Sequence, residues 1–217
     1  MDFYGTVNSR HTVMEFESTP IDDETIRRII SAGIKAPSND HMRDWNFIVI
    51  TDKNIILELI EKIPEKFTEE DVENVIREWN LDDSCQQKAY RYAIPKQYRM
   101  FADAPCVIVP LFRQKTDIMH PEKLSHLNGF ASIWCCIENI FLAVTAEGLG
   151  SLLRIPLGDE EEWARKVLNF PSDYLMPCII AVGKPCNNAE KVQQKNIIPD
   201  SVIHKNIWEK ISCKCLS

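Results

Sequence analysis

Two short segments near the start of the chain hold residues suited to binding chemistry. Arg10-His11-Thr12 places a guanidinium, an imidazole and a hydroxyl side by side. A guanidinium presents a planar fork of donors that matches phosphate oxygens, and a hydroxyl adds another donor. Ala36-Pro37-Ser38-Asn39-Asp40-His41 is a Pro-Ser turn leading toward an apolar run, a shape suited to a flat polar ring. Each segment is weak alone. A basic triplet is commonly a solvated turn, and Pro-Ser commonly does no more than end a helix. Their order around one intervening helix is what gives them meaning.

That helix is read over residues 22–36. Asp22 or Asp23 caps it, and Ile26, Ile29, Ile30 and Ile34 form one apolar stripe. Pro37 ends it, because proline disfavours the helical conformation of the residue before it. Residues 45–50 read as a strand buried on both faces, and 54–63 as a second helix stopped by Pro64. Further apolar strands are read at 105–112, 151–155 and 177–182. Residues 128–147 form a long helix, apolar nearly all round, which predicts burial on several sides, with a subunit interface as its natural cover. A short helix over 159–168 begins on acidic residues, which suit a helix N-terminus.

The reading is of one domain over 1–217 with two additions. Residues 65–101 are polar and carry Trp79, Tyr90, Tyr92, Lys96 and Tyr98. Such an insertion is either a lid over a binding site or a solvated helical flap. The tail, 186–217, has apolar clusters at 197–198 and 203–208 and is expected to dock on something.

Composition narrows the function classes. A net charge of −7 argues against nucleic acid and against anionic membrane surfaces, both of which call for a basic face. The opening residues lack the basic and apolar regions of a signal peptide, and the apolar stretch 133–146 is shorter than the ~20 residues a bilayer needs, so a cytoplasmic protein is expected. Eight cysteines contain no C-x-x-C pair, which points to reduced structural thiols and no metal site. The pair Cys213 and Cys215 is expected to be exposed and oxidation-prone.

A basic pair, a helix, Ala-Pro-Ser and then Trp-x-Phe in a strand resembles the nitroreductase superfamily of FMN-dependent oxidoreductases. The second half carries the same resemblance. Asn128-Gly129-Phe130-Ala131-Ser132 opens a helix containing Glu138-Asn139-Ile140-Phe141-Leu142-Ala143, Glu147-Gly148-Leu149-Gly150-Ser151 follows, and Gly183-Lys184-Pro185 ends the last core strand. The resemblance spans roughly residues 8–206.

It implies an α+β nitroreductase-like fold, an antiparallel-dominated sheet wrapped by helices, in an intertwined homodimer with FMN at the subunit interface. It assigns phosphate contacts to Arg10, His11 and Thr12, with Lys195 as a fourth. It brings Pro37, Ser38, Asn39 and His41 toward the flavin ring, and Leu153, Arg154 and Ile155 beside its redox nitrogen. Met14 and Asn196 stand where many members carry arginines. His41 resembles the iodotyrosine deiodinase branch, but Arg43-Asp44 replaces the Glu-Pro of that branch. No side chain has to act as nucleophile or dedicated base. His41 and Arg43 are placed on the substrate side.

The activity implied is reduction of an electron-poor small molecule, of nitroaromatic or quinone type, by NADH or NADPH in a ping-pong cycle on the flavin. Two alternatives are carried beside it: a specialised flavin enzyme such as a reductive dehalogenase, and a non-catalytic FMN-binding protein.

Overall fold

The computed structural model describes residues 2–192 and 196–208. In chain order the elements are α1 (Phe3–Ser9), α2 (Asp23–Gly33), β1 (Trp45–Ile50), α3 (Lys53–Leu59), α4 (Glu69–Glu78), α5 (Ser84–Ala93) and α6 (Gln97–Ala102). Then come β2 (Cys106–Arg113), α7 (Asn128–Ala146), β3 (Gly150–Arg154), α8 (Glu160–Leu168), β4 (Tyr174–Leu175) and β5 (Ile179–Gly183). The strands pair antiparallel in the order β1-β2-β5-β3, with β4 against the end of β2.

Alternation along β2 sets the layers. Side chains of a strand point to opposite faces in turn. Val107, Val109 and Leu111 join Ile56, Ile60, Phe101 and Ala164 on one side, the face covered by α3, α6 and α8. Cys106, Ile108 and Phe112 join Ile26, Ile29, Ile133, Ile137 and Ile140 on the other, the face covered by α2 and α7. The result is a sheet with helices on both faces, an α+β fold of the antiparallel-dominated kind expected. Cys106, Cys136 and Cys178 pack inside the second layer, where burial pushes each thiol up to about 12. Protonated and enclosed, they act as small hydrophobes.

Several local expectations change. The helix over 22–36 is shorter: Asp22 caps it by accepting from the Thr25 N–H at 2.8 Å, and it ends at Gly33. Ile34 therefore leaves the apolar stripe and is exposed. β1 is not buried on both faces. It is the edge of the sheet within this chain, so Asn46 and Val49 lie exposed. The insertion is better packed than its composition implies. Thr68 and Asp71 form a capping box that starts α4, and Val72, Ile76 and Ile94 build a small core of their own with Phe67, Val75, Leu81 and Tyr90.

α7 packs against α2 and the sheet, yet Ala131, Cys135 and Glu138, spaced to share one helix face, stay exposed. With the turn before it, this helix is long and apolar enough to cross a membrane by composition, although it packs here against protein. The tail joins the body through a bridge between Phe16 and Pro185, and Cys186 donates its N–H to the Glu15 carbonyl at 3.0 Å. Beyond that, Ile197, Ile203, Ile207 and Trp208 are exposed among the described residues. Cys213 and Cys215 lie outside the described residues.

Candidate functional site

Close packing of one glycine lays the N-terminal segment along the sheet. A Cβ on Gly150 would meet the Val13 side chain at 2.5 Å, so only glycine lets the two backbones approach. Val13 then donates its N–H to Ser151 at 3.0 Å, and Thr12 bridges Ser151 in parallel. This puts Thr12 beside the end of β3. There a cavity of about 640 Å³ opens, lined by Thr12, Met14, Leu153, Arg154 and Ile155 and closed by the insertion. Its size lies inside the ~300–1,000 Å³ range of ligand pockets.

Arg10 sits at the C-terminal cap of α1, half-buried, its N–H donating to the Thr6 carbonyl at 3.0 Å. Its guanidinium makes no hydrogen bond or ion pair with any described residue. A partly desolvated cation without a counter-charge is poised to take an anion. The neighbouring His11 holds its Nδ1 at 2.8 Å from the Ser9 carbonyl, which can only accept.

Arg154 is different. Its Nε donates to Glu160 Oε2 at 2.9 Å and its Nη2 to Oε1 at 2.5 Å, and Gln97 accepts from its third nitrogen. The two side chains are only 10% and 13% exposed, so this is a buried, fork-matched pair in the cavity wall. The Leu157 N–H also reaches Glu160 Oε2, at 3.2 Å, which fixes the turn between β3 and α8.

Next to Met14, Glu15 ties the insertion down. Tyr92 donates its hydroxyl to Glu15 Oε1 at 2.6 Å, Lys96 donates to the same oxygen, and the Lys96 ammonium lies 3.6 Å from the Tyr92 ring centre. Burial alone would raise the Glu15 carboxyl, but the hydrogen bonds from Lys96 and Tyr92 outweigh it and hold the pKa below the usual carboxylate value. Burial and the bond to Glu15 raise Tyr92.

A depressed folded pKa means that the unfolded chain binds the proton more readily. The stability from this latch is therefore complete above the unfolded glutamate value, about 4.3, and drains away as pH falls through the lowered folded value. Glu15→Gln is expected to flatten that acid limb when thermal unfolding is followed between about pH 5 and 3. Parallel limbs for the variant and the wild type would contradict the latch.

The Pro-Ser turn lies elsewhere. Asn39 donates its N–H to Ser132 Oγ at 3.0 Å, Ser132 Oγ donates to the Asn128 carbonyl at 2.6 Å, and Asn128 Nδ2 donates back to Asn39 Oδ1 at 3.1 Å. The start of α7 thus anchors the turn. Ser38 Oγ accepts from the Arg43 N–H at 3.1 Å. Asp40, His41 and Arg43 adopt left-handed φ of 51°, 54° and 46°. Each such residue carries strain of about 1 kcal/mol or more, which clusters where function requires a special shape. Ser38, Asn39 and Arg43 line a second, smaller cavity of about 150 Å³. Pro37 and His41 are exposed.

Within one chain, then, Thr12 meets Leu153, Arg154 and Ile155, while Ser38 and Asn39 meet Arg43 at a different cavity. The two halves of the expected cradle do not close on each other in a single copy. Lys195 lies outside the described residues. Arg43 has no ion-pair partner among the described residues, and the surface pair beside it is Asp44 with Lys115, at 3.2 Å. Tyr90 lines the larger cavity, whereas Tyr98 packs on the main core. No metal-binding cluster is formed by the described residues, and His120 pairs with Asp117 at 3.0 Å.

Sequence reading missed Glu160, Gln97 and Glu15. Glu160 stands six residues after Arg154 at a helix start, a weak signal that was present. Glu15 meets partners 77 and 81 residues away, which no local pattern records.

Comparison with known proteins bears on this arrangement. The profile described as the nitroreductase family matches residues 7–184. A protein of Methanothermobacter thermautotrophicus named for NADH dehydrogenase and NAD(P)H nitroreductase is 24% identical over 212 residues, covering 96% of this chain and 88% of that protein. The iodotyrosine deiodinase of Nematostella vectensis is 25% identical over 191 residues, covering 87% and 69% respectively. Among solved structures, oxidised iodotyrosine deiodinase bound to FMN and 3-iodo-L-tyrosine superposes with a TM-score of 0.71 at 20% identity, over 94% of this chain and 99% of that one. At that identity the likeness is one of fold.

Proposed function

The chain belongs to the nitroreductase family, and from that premise we propose that it is an FMN-dependent oxidoreductase, fed by NADH or NADPH and acting on an electron-poor small molecule. The observation that carries this reading is the half-buried Arg10 guanidinium, unpartnered among the described residues, two residues before the Thr12 that lines a cavity of about 640 Å³. The donor set fits FMN. Arg10, His11 and Thr12 would hold its phosphate. The cavity wall of Thr12, Leu153 and Ile155 would take the ring, and backbone donors at 153–155 would steady the ring once reduced.

What FMN supplies when bound is electron transfer from the reduced nicotinamide to a second molecule that later occupies the same cleft. The chain itself has the tasks of binding, orientation and exclusion of water. The latch from Glu15 to Tyr92 and Lys96 holds the insertion over the cavity, and Arg154 is neutralised by Glu160, so the wall stays low in net charge. Protons for the product would come from solvent or from His41.

A homodimer completes the cradle in this reading. The turn at Pro37-Ser38-Asn39 of one copy would approach Thr12 and β3 of the other, which accounts for their separation within one chain. The exposed face of α7 and the exposed apolar residues of the tail supply surface for such a contact. Steady-state rates with NADPH and a quinone acceptor test the cycle. Parallel double-reciprocal lines are expected for FMN-loaded protein, and intersecting lines would overturn the sequential use of one cleft.

A further inference from the structure

The smaller cavity, beside the turn at Ser38 and Asn39, reverses the charge of the chain around it. The protein carries a net −7, yet the side chains lining this cavity include Arg43, Arg113 and Lys115 against the carboxylate of Asp44. Arg113 and Lys115 stand in half-exposed pairs, with Asp173 at 3.0 Å and Asp44 at 3.2 Å. Such pairs are weak and give way to a stronger anion. The Arg43 guanidinium has no partner among the described residues. Its backbone is nevertheless fixed at a left-handed φ of 46°. Its N–H donates to Ser38 Oγ at 3.1 Å, and its carbonyl accepts from the Trp45 N–H at 2.7 Å. Strain braced on both sides, and used to present an unpaired cation, points to a binding role.

At about 150 Å³ the space is below the ~300–1,000 Å³ of a pocket that holds a whole small molecule, and close to what encloses one benzene ring. It takes an end group, not an entire nucleotide. The group it fits is an oxyanion. A guanidinium fork and an ammonium in one small site match phosphate oxygens, and a phosphate monoester carries about −1.5 to −2 charge, enough to engage both Arg43 and Lys115. Ser125 adds a hydroxyl. Assembly of two copies does not undo this. The turn with Ser38 and Asn39 would then approach Thr12 and β3 of the other copy, and the charged residues lining that larger cavity, Arg154 and Glu160, satisfy each other.

We infer that Arg43 and Lys115 are the specificity-determining residues for the electron donor: they take the 2′-phosphate of NADPH and so set NADPH above NADH. The inference rests on the flavin reading above and its two-copy cradle. The 2′-phosphate is the group that separates the two nicotinamides, and it is a phosphate monoester. It also lies at the far end of the molecule from the ring that meets the flavin. A site that begins at the ring-side turn and lies outside the larger cavity suits that far end, with the nicotinamide over the flavin.

Equilibrium dialysis of the full chain, with and without FMN, reads the site apart from turnover. The probes are adenosine 2′,5′-bisphosphate and adenosine 5′-monophosphate. The bisphosphate is expected to bind at least about tenfold tighter. Arg43→Gln should remove most of that margin, Arg43→Lys should keep part of it, and Lys115→Gln should narrow it. On FMN-loaded protein, anaerobic rapid mixing at subsaturating nicotinamide should bleach the flavin about tenfold faster with NADPH than with NADH, a ratio that collapses in Arg43→Gln. Equal binding of the two adenosine phosphates overturns the inference. So does a ratio untouched by Arg43→Gln in a variant whose circular dichroism matches the wild type. A loss seen only with a carboxylated acceptor such as 4-nitrobenzoate would give the anion site to the acceptor and overturn it as well. Protein that takes up no FMN fails the flavin reading whatever the adenosine probes show, while flavin-loaded protein reduced equally by NADPH and NADH fails this inference alone.

Discussion

Replacing Glu160 with alanine is expected to destabilise the fold by about 3–5 kcal/mol. The reason is what remains behind. Arg154 is 10% exposed, and two of its guanidinium nitrogens donate to Glu160 at 2.9 and 2.5 Å. With Glu160 gone, a full positive charge stays in the wall of an apolar cavity with Gln97 as its neutral partner. The Leu157 N–H loses its acceptor as well. At roughly 2–4 °C per kcal/mol for a chain of this size, the midpoint of thermal unfolding should fall by about 6–20 °C.

The double variant Arg154→Met with Glu160→Leu removes both charges. It should lose far less than the single variant, because a desolvated pair replaced by apolar groups of similar volume is often neutral. A double-mutant cycle read by thermal unfolding checks this. If the single variant melts within about 2 °C of the wild type, the pair does not support the cavity wall as described.

The second large effect concerns ligand binding. Arg10→Ala should weaken FMN about ten- to a hundredfold, since a hydrogen bond to a charged group is worth about 1.5–3 kcal/mol. The fold should be untouched, because the Arg10 guanidinium contacts no described partner and only its backbone caps α1. Arg10→Lys should restore part of the affinity. An ammonium keeps the charge but loses the planar fork that matches phosphate. Titration of the apoprotein with FMN, followed by quenching of flavin fluorescence, gives the dissociation constants. An unchanged constant for Arg10→Ala would remove Arg10 from the phosphate site.

Much of the fold was legible because its signals are local. The cap at Asp22, the isoleucine stripe at Ile26 and Ile29, and the apolar run of β2 each follow from residues within a few positions of one another. β1 misled for the opposite reason. A six-residue segment with five apolar residues shows a tendency to be buried but not whether a neighbour covers it, and here β1 has a strand on one side only. The insertion misled as well, since three buried residues spread over 72–94 support it without leaving a visible stripe.

The candidate site divides in the same way. Thr12 and the 153–155 segment were read from separate motifs, and Gly150 is what unites them by letting Val13 lie against β3. Their distance from Ser38 and Asn39 depends on how two copies assemble, which no spacing along one chain expresses. The latch at Glu15 joins residues 77 and 81 apart, and folding alone brings them together.

The central claim is that this chain binds FMN and uses it. It is tested most directly by the visible spectrum of the full-length protein, loaded with FMN, separated from free flavin and mixed anaerobically with NADH or NADPH. The account predicts a yellow protein whose flavin band bleaches on mixing and returns when a neutral quinone is added. A colourless protein after loading, or a flavin band that neither reduced nicotinamide alters, would contradict it.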